Sequence, residues 1–194
     1  MTKYFTNNFP ILNLYKKPSP KSEIVTQMIF GDSFSIFGRK RNWLKIKIKE
    51  DGYKGFIPKI NLNPYVKPTH KIHKLKAKVY RSPNKRSKIN ELPFGSKIKI
   101  YEKSSKFFRF NKGWIEKNDF KLLSFKDKDL FTRASYFKNI KYKWGGKTFD
   151  GIDCSALVQM YYLYNKLLKK EYQIQFFSIS MSHKCLNFHQ YLLL

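Results

Sequence analysis

Apolar and polar residues alternate along the first two-thirds of the chain. Lys45-Ile46-Lys47-Ile48-Lys49 and Lys97-Ile98-Lys99-Ile100 put isoleucine on one side and lysine on the other. That period of two is the mark of a half-buried strand, with the lysines turned to water. Glycine and proline punctuate these runs, and Asp51-Gly52 is a tight hairpin signal. No helix-period stretch precedes residue 125. The period then changes. Leu130, Phe131, Ala134 and Phe137 fall at helical spacing and predict a helix over Asp129–Asn139. Asp127 and Asp129 suit its positive N-terminal end. A loop over Lys143–Gly151 follows. A second helix is predicted from near Asp153 to about Lys170, with Leu157, Tyr161, Tyr164 and Leu168 as its apolar stripe.

The β-rich part is one pattern written twice. Tyr15 with Pro18 is matched by Tyr80 with Pro83, and Phe30-Gly31 by Phe94-Gly95. At the same offset as the Phe-Gly pairs, Trp43-Leu44-Lys45-Ile46-Lys47 is matched by Phe107-Phe108-Arg109-Phe110. Gly55-Phe56-Ile57 and Gly113-Trp114-Ile115 close the copies at a smaller offset, so the second has a shorter final hairpin. Short alternating strands joined by Gly and Pro bends predict two small β-barrels. Between them, residues 61–76 read as a linker carrying His70 and His73 in water. No acidic or cysteine ligand accompanies this His-x-x-His pair, so no metal site is expected. The repeats resemble bacterial SH3 domains in their Tyr-x-x-Pro opening, Phe-Gly-Asp/Ser turn, Trp-x-x-Ile strand and closing Gly-Phe-Ile-Pro. The resemblance implies modules that bind cell-wall peptides or pack beside a catalytic domain.

Composition narrows the partners. Hydrophobic residues make up 42% and aromatics 18% of 194 residues, enough to build cores. The formal charge of +27 could attract nucleic acid, anionic lipid or an acidic polymer. The lysines, however, are spread along strands and form no tract, and no nucleic-acid motif is present, so no nucleic-acid partner is expected. Cys154 and Cys185 make no disulfide framework and fit a reducing compartment. No apolar run suits a signal peptide or membrane span, so the expectation is a soluble cytoplasmic protein.

The stretch YKWGGKTFDGIDCSALVQMYY, residues 142–162, carries the candidate chemistry. A cysteine attacks as thiolate, and Cys154 at the first turn of a helix would meet the positive end of the dipole and unpaired N–H groups. Asp153 is placed to cap that helix. Taken singly, Cys154 reads equally as a small buried hydrophobe, Tyr142 and Trp144 as core aromatics, and Asp153 as a cap alone. Taken in order, Tyr142, Trp144, Gly145, Gly146, Gly151, Asp153, Cys154 and Ser155 resemble the nucleophile motif of the NlpC family, papain-like cysteine peptidases of bacterial cell walls. Ala156 departs from the glycine common there. The resemblance implies Cys154 as nucleophile, Tyr142 beside it near the developing oxyanion, and Asp153 and Ser155 at the substrate's amino end. Trp144, Gly145 and Gly146 would line the substrate, with the glycines letting the loop turn sharply.

With two upstream SH3-like modules, the chain resembles the γ-D-glutamyl-L-diamino acid endopeptidases and dipeptidyl-peptidases of this family. That implies a murein peptide substrate, an acyl-enzyme on Cys154 and no cofactor. Such a peptidase needs a base. The family's histidine lies well downstream, in a Gly-His-Val type context. Here the last residues, EYQIQFFSISMSHKCLNFHQYLLL, hold no Gly or Pro, and His183 and His189 stand in other surroundings. The expectation is a catalytic domain cut short, its tail atypical after about residue 168, with activity lost or impaired and the helix stripe left bare. The alternative is a non-catalytic SH3-like module that binds murein peptides or an anionic partner. The expected architecture is mainly β then α+β. Two small SH3-like barrels over 1–62 and 63–124 precede the N-terminal helical half of a papain-like domain over 125–194.

Overall fold

A computed structural model of the chain describes residues 2–127, 129, 137 and 139–165. It is mostly β, with one α-helix among the described residues. The first unit holds seven strands: β1 (Tyr4–Thr6), β2 (Ile11–Tyr15), β3 (Ile24–Ile29), β4 (Ser33–Lys40), β5 (Trp43–Ile48), β6 (Lys54–Pro58) and β7 (Asn63–Pro64). They form one antiparallel sheet in the order β3-β2-β6-β5-β4-β1-β7. The alternation in β5 works as its pattern demands. Leu44, Ile46 and Ile48 are buried with Leu14, Met28, Phe34 and Ile57, while Lys45 and Lys47 are exposed. The turn at Asp51-Gly52 closes β5 onto β6, with Ile48 N–H donating to the Tyr53 carbonyl at 2.9 Å.

The second unit comprises β8 (His70–Ile72), β9 (Lys76–Tyr80), β10 (Lys88–Pro93), β11 (Lys97–Ile98), β12 (Glu102–Lys103), β13 (Phe107–Phe110), β14 (Gly113–Glu116) and β15 (Phe120–Leu122). Five of them order as β10-β9-β14-β13-β12 and three as β11-β8-β15. Their shared core gathers Ile72, Ala77, Val79, Leu92, Ile98, Phe110, Ile115 and Phe120. A final small hairpin, β16 (Lys147–Thr148) and β17 (Gly151–Ile152), leads into α1 (Cys154–Asn165).

The repeated Phe-Gly turns join these parts. Phe30, from the first unit, is buried in the core of the second, edge-on to Phe110 with ring centroids 5.7 Å apart. Phe94, from the second unit, is buried against α1, stacked on Tyr164 at 4.5 Å. Gly31 lets the first of these turns close. Its φ is +84°, and a side chain there would run into the Lys97 backbone carbonyl. Lys97 N–H in turn donates to the Phe30 carbonyl at 2.8 Å.

Three expectations are corrected. Residues 61–76 are not a free linker, because β7 pairs with β1 and β8 lies at the centre of a three-stranded sheet. His70 and His73 are half-buried. His70 meets Phe120 edge-on, and the His73 ring is hydrogen-bonded to the Tyr164 hydroxyl at 2.8 Å. The helix stripe is not bare: Leu157 and Tyr164 are buried with Phe94, Phe137 and Ile152. Nor do all lysines face water. Lys71 and Lys147 are buried and Lys97 is half-buried, each drawn inward by acceptors that local spacing does not show. Lys71 donates to the carbonyls of Phe125 and Tyr164, and Lys97 to Asp32 and Glu50, both at 2.9 Å. Burial pulls the Lys97 ammonium down, but the two carboxylates outweigh it and hold it above the usual lysine range. Most of the helix expected over 129–139, with Leu130, Phe131 and Ala134, lies outside the described residues. So do Leu168, His183, Cys185 and His189.

Candidate active site

The glycine bend, the small hairpin and the start of α1 form one hydrogen-bonded unit. Lys143 N–H donates to the Ile152 carbonyl at 3.2 Å, Gly146 N–H to Lys143 at 2.9 Å, and Asp153 N–H to Gly146 at 3.1 Å. Tyr142 adds a parallel bridge to Ile152. The bend is thus closed onto the residue before the cysteine. Gly145 has φ +67°, and a Cβ there would stand 2.6 Å from the Ile24 carbonyl of β3. Only glycine lets the bend approach the first unit this closely.

Asp153 caps α1, as its position predicts. Its Oδ1 accepts from Ala156 N–H at 2.6 Å and from the Ser155 hydroxyl at 2.8 Å. Its Oδ2 accepts from Gly145 N–H at 3.0 Å. One carboxylate therefore ties the bend, the cap and Ser155 together. Cys154 is the first residue of α1 and is partly exposed. The first turn of a helix offers N–H groups without intrahelical partners and the positive end of the dipole, the setting that favours a thiolate. Cys154 is thus neither mid-helix nor a fully buried residue.

The single-residue alternatives are resolved for the two aromatics. Tyr142 is 48% and Trp144 62% exposed, so neither is a core residue. Glu23, at the edge of the first unit, has its carboxylate held below the usual range by Lys16 and more weakly by the Trp144 indole. Ala156 is buried in the cluster beneath the helix, where its methyl is accommodated. The structure brings Tyr142, Trp144, Asp153, Cys154 and Ser155 into one surface region, whereas Gly145 and Gly146 are buried beneath it, Gly145 against Ile24 and Gly146 against Gly151.

Sequence reasoning missed the polar residues behind the bend. Lys147 Nζ pairs with Asp51 Oδ2 at 2.9 Å, with both side chains almost fully buried. Lys147 N–H donates to Gln27 Oε1 at 2.9 Å, and Gln159 of α1 donates to the Tyr53 hydroxyl at 3.2 Å. Asp51 reads in the sequence as a turn residue and Lys147 as a loop residue, and nothing in their spacing pairs them. Of the described histidines, His73 packs on Tyr164, ten positions along α1 from Cys154. At 1.5 Å per residue the helix position it packs on lies roughly 15 Å along the axis from Cys154. Among the described residues, no helix is long and apolar enough to cross a membrane.

Residues 14–62 match the family described as bacterial dipeptidyl-peptidase Sh3 domain, and residues 139–182 match the NlpC/P60 family. The chain is 22% identical over 174 residues to a gamma-D-glutamyl-L-lysine dipeptidyl-peptidase of Bacillus cereus, covering 73% of this chain and 50% of that protein. It is 26% identical over 154 residues to the protein of the same name from Bacillus subtilis, covering 70% and 51%. The chain therefore spans about half the length of the curated relatives it matches. A crystal structure of an NlpC/P60 family protein from Bacillus cereus superposes with a TM-score of 0.72 at 17% identity, covering 84% of this chain and 72% of that one. That likeness bears on the fold alone.

Proposed function

Because the chain is of the NlpC/P60 family and carries a bacterial SH3 domain, we propose that it belongs to a thiol peptidase acting on murein peptides, at the bond between γ-D-glutamate and a diamino acid. Cys154 is the nucleophile. Its sulfur attacks the amide carbonyl, and the C–N bond breaks as the leaving amine takes a proton. Water then cleaves the thioester and regenerates the thiol. Asp153 and Ser155 receive the substrate's ammonium group. Asp153 already accepts three hydrogen bonds, and a carboxylate has about four acceptor positions. Tyr142 faces the developing oxyanion and Trp144 borders the peptide, while the buried Gly145 and Gly146 shape the bend that carries them. In this reading the two repeats are SH3-like barrels over 1–62 and 63–124, set before the catalytic part from 125. The names of the curated relatives support the substrate class.

One observation carries the reading: a partly exposed cysteine opens a capped helix directly beside a glycine bend. The test is cleavage of L-Ala-γ-D-Glu-L-Lys by the full chain, its Cys154→Ala variant and its Cys154→Ser variant. Weak cleavage by the parent, in keeping with the impaired activity expected from the sequence, that both substitutions abolish is the expected result. Cleavage that survives Cys154→Ala sinks the assignment, and so does a parent chain that releases no lysine while binding the peptide equally well without the thiol.

A further inference from the structure

Asp51 and Lys147 form a buried ion pair in a place where stability alone gives little reason for one. Both side chains are over nine-tenths buried, and the contact is 2.9 Å. Desolvating two charges largely cancels their attraction, and well-packed apolar replacements are often neutral or stabilising. What such a pair supplies is a fixed geometry. This one links the β5–β6 turn of the first unit to the first residue of β16, whose hairpin partner β17 runs through Asp153 into Cys154.

The same turn also grips the other side of the nucleophile. Asp51 Oδ1 accepts from Tyr53 N–H at 3.2 Å, and the Tyr53 hydroxyl accepts from Gln159 Nε2 of α1 at 3.2 Å. Asp51 thus holds the hairpin before Cys154, and Tyr53 holds the helix after it. Lys147 N–H donating to Gln27, with Gln27 donating to Asn13, fixes the same hairpin to β3 and β2. Gly145 against the Ile24 carbonyl closes the last side. The hairpin's placement is set by the first unit, through groups distant in sequence from the cysteine.

We propose that the Asp51–Tyr53 turn is a positioning device for the nucleophile, acting on Cys154 through Lys147 on one side and Gln159 on the other. The proposal rests on the reading of Cys154 as the nucleophile. Neither Asp51 nor Tyr53 is assigned a contact with substrate.

The test uses the full chain and reads Cys154 alkylation by iodoacetamide, resolved from Cys185 by peptide mass spectrometry, alongside thermal melting and kcat and KM for the tripeptide. The double variant Asp51→Asn/Lys147→Met removes both charges and keeps an acceptor for Tyr53 N–H. It is expected to melt close to the parent while Cys154 alkylates on the order of tenfold more slowly, with the loss in kcat and not in KM. Tyr53→Phe removes a single hydroxyl and gives a second reading if the double variant does not fold. A several-fold drop in alkylation is expected from it. Parent-like alkylation in the folded variants overturns the positioning role and leaves the nucleophile assignment standing. If Cys154 in the parent alkylates no faster than in the unfolded chain, the nucleophile assignment fails, and the positioning role falls with it.

Discussion

Phe30 and Phe94 occupy equivalent places in the two repeats, and each ring is buried in the unit that follows its own. Phe30 leaves the first sheet and completes the core around Ile72, Ile98 and Phe110. Phe94 leaves the second and stacks on Tyr164 of α1. A motif that reads as a turn signal thus also works as a connector, passing register from the first unit to the second and from the second to the helix that bears Cys154.

The two rings should therefore have different footprints when removed. Phe30→Ala and Phe94→Ala are each expected to cost about 3–5 kcal/mol, as large core aromatics do. By hydrogen exchange, Phe30→Ala should deprotect the strands of residues 70–122 more than those of 4–58. Phe94→Ala should deprotect α1 and spare the first sheet. If Phe30→Ala loosens only the sheet it comes from, the connector role is wrong.

A second junction is electrostatic. Lys97 lies between Asp32 and Glu50, which belong to the other unit. Lys97→Met takes the cation from between two mostly buried carboxylates; breaking a fully buried pair typically costs about 3–5 kcal/mol, and this half-buried one should cost about 2–3 kcal/mol. Urea denaturation of the full chain measures it. Lys88→Met, at an exposed lysine, is the comparison, and its effect should stay within about 1 kcal/mol. Equal effects from the two substitutions would show that the half-buried pair has no special weight.

Much of this architecture is legible from local pattern. The alternation through Ile46 and Ile48 marks the buried face of β5, and the Asp-Cys-Ser string marks the start of α1. Asp153 is recognisable as a cap because capping is a relationship between near neighbours in sequence. The lysines that turn inward are not legible. A lysine at an alternating or loop position reads as solvated, and its acceptors lie far away in the chain: Asp32 and Glu50 for Lys97, Asp51 for Lys147. The histidines fail for the same reason. Between prolines and lysines, 61–76 reads as a linker, whereas cross-strand pairing with 97–98 and 120–122 makes its residues 70–72 the middle strand of a sheet.

The Tyr80 phenol donates to Glu116 Oε1 at 2.8 Å within the second unit. Burial, then Glu116, pushes its pKa from 10.0 up to about 12. The folded value lies above the unfolded one, so the contribution to stability is fully present below pH 10 and is lost as pH rises towards 12. Glu116→Gln removes the negative partner and should lower the Tyr80 transition while leaving it above that of an exposed tyrosine. An alkaline NMR titration of isotope-labelled tyrosine reads the shift directly. A transition that does not move would show that Glu116 contributes nothing to it.

Asp153 allows its structural and chemical roles to be separated, because asparagine keeps the acceptor and discards the charge. Asp153→Ala should lower stability by about 0.5–2 kcal/mol, since Ala156 N–H and Gly145 N–H lose their acceptor. Asp153→Asn should retain most of that stability, as asparagine caps helices nearly as well. A neutral side chain, however, holds a substrate ammonium far less well than a carboxylate does. If Asp153 receives the peptide's amino end, Asp153→Asn should raise KM for the free tripeptide and leave KM for an N-acetylated one unchanged. Denaturation curves and steady-state kinetics on the same samples separate the roles. A stable Asp153→Asn variant with parent-like KM for the free peptide would reduce Asp153 to a helix cap and move ammonium recognition to another group.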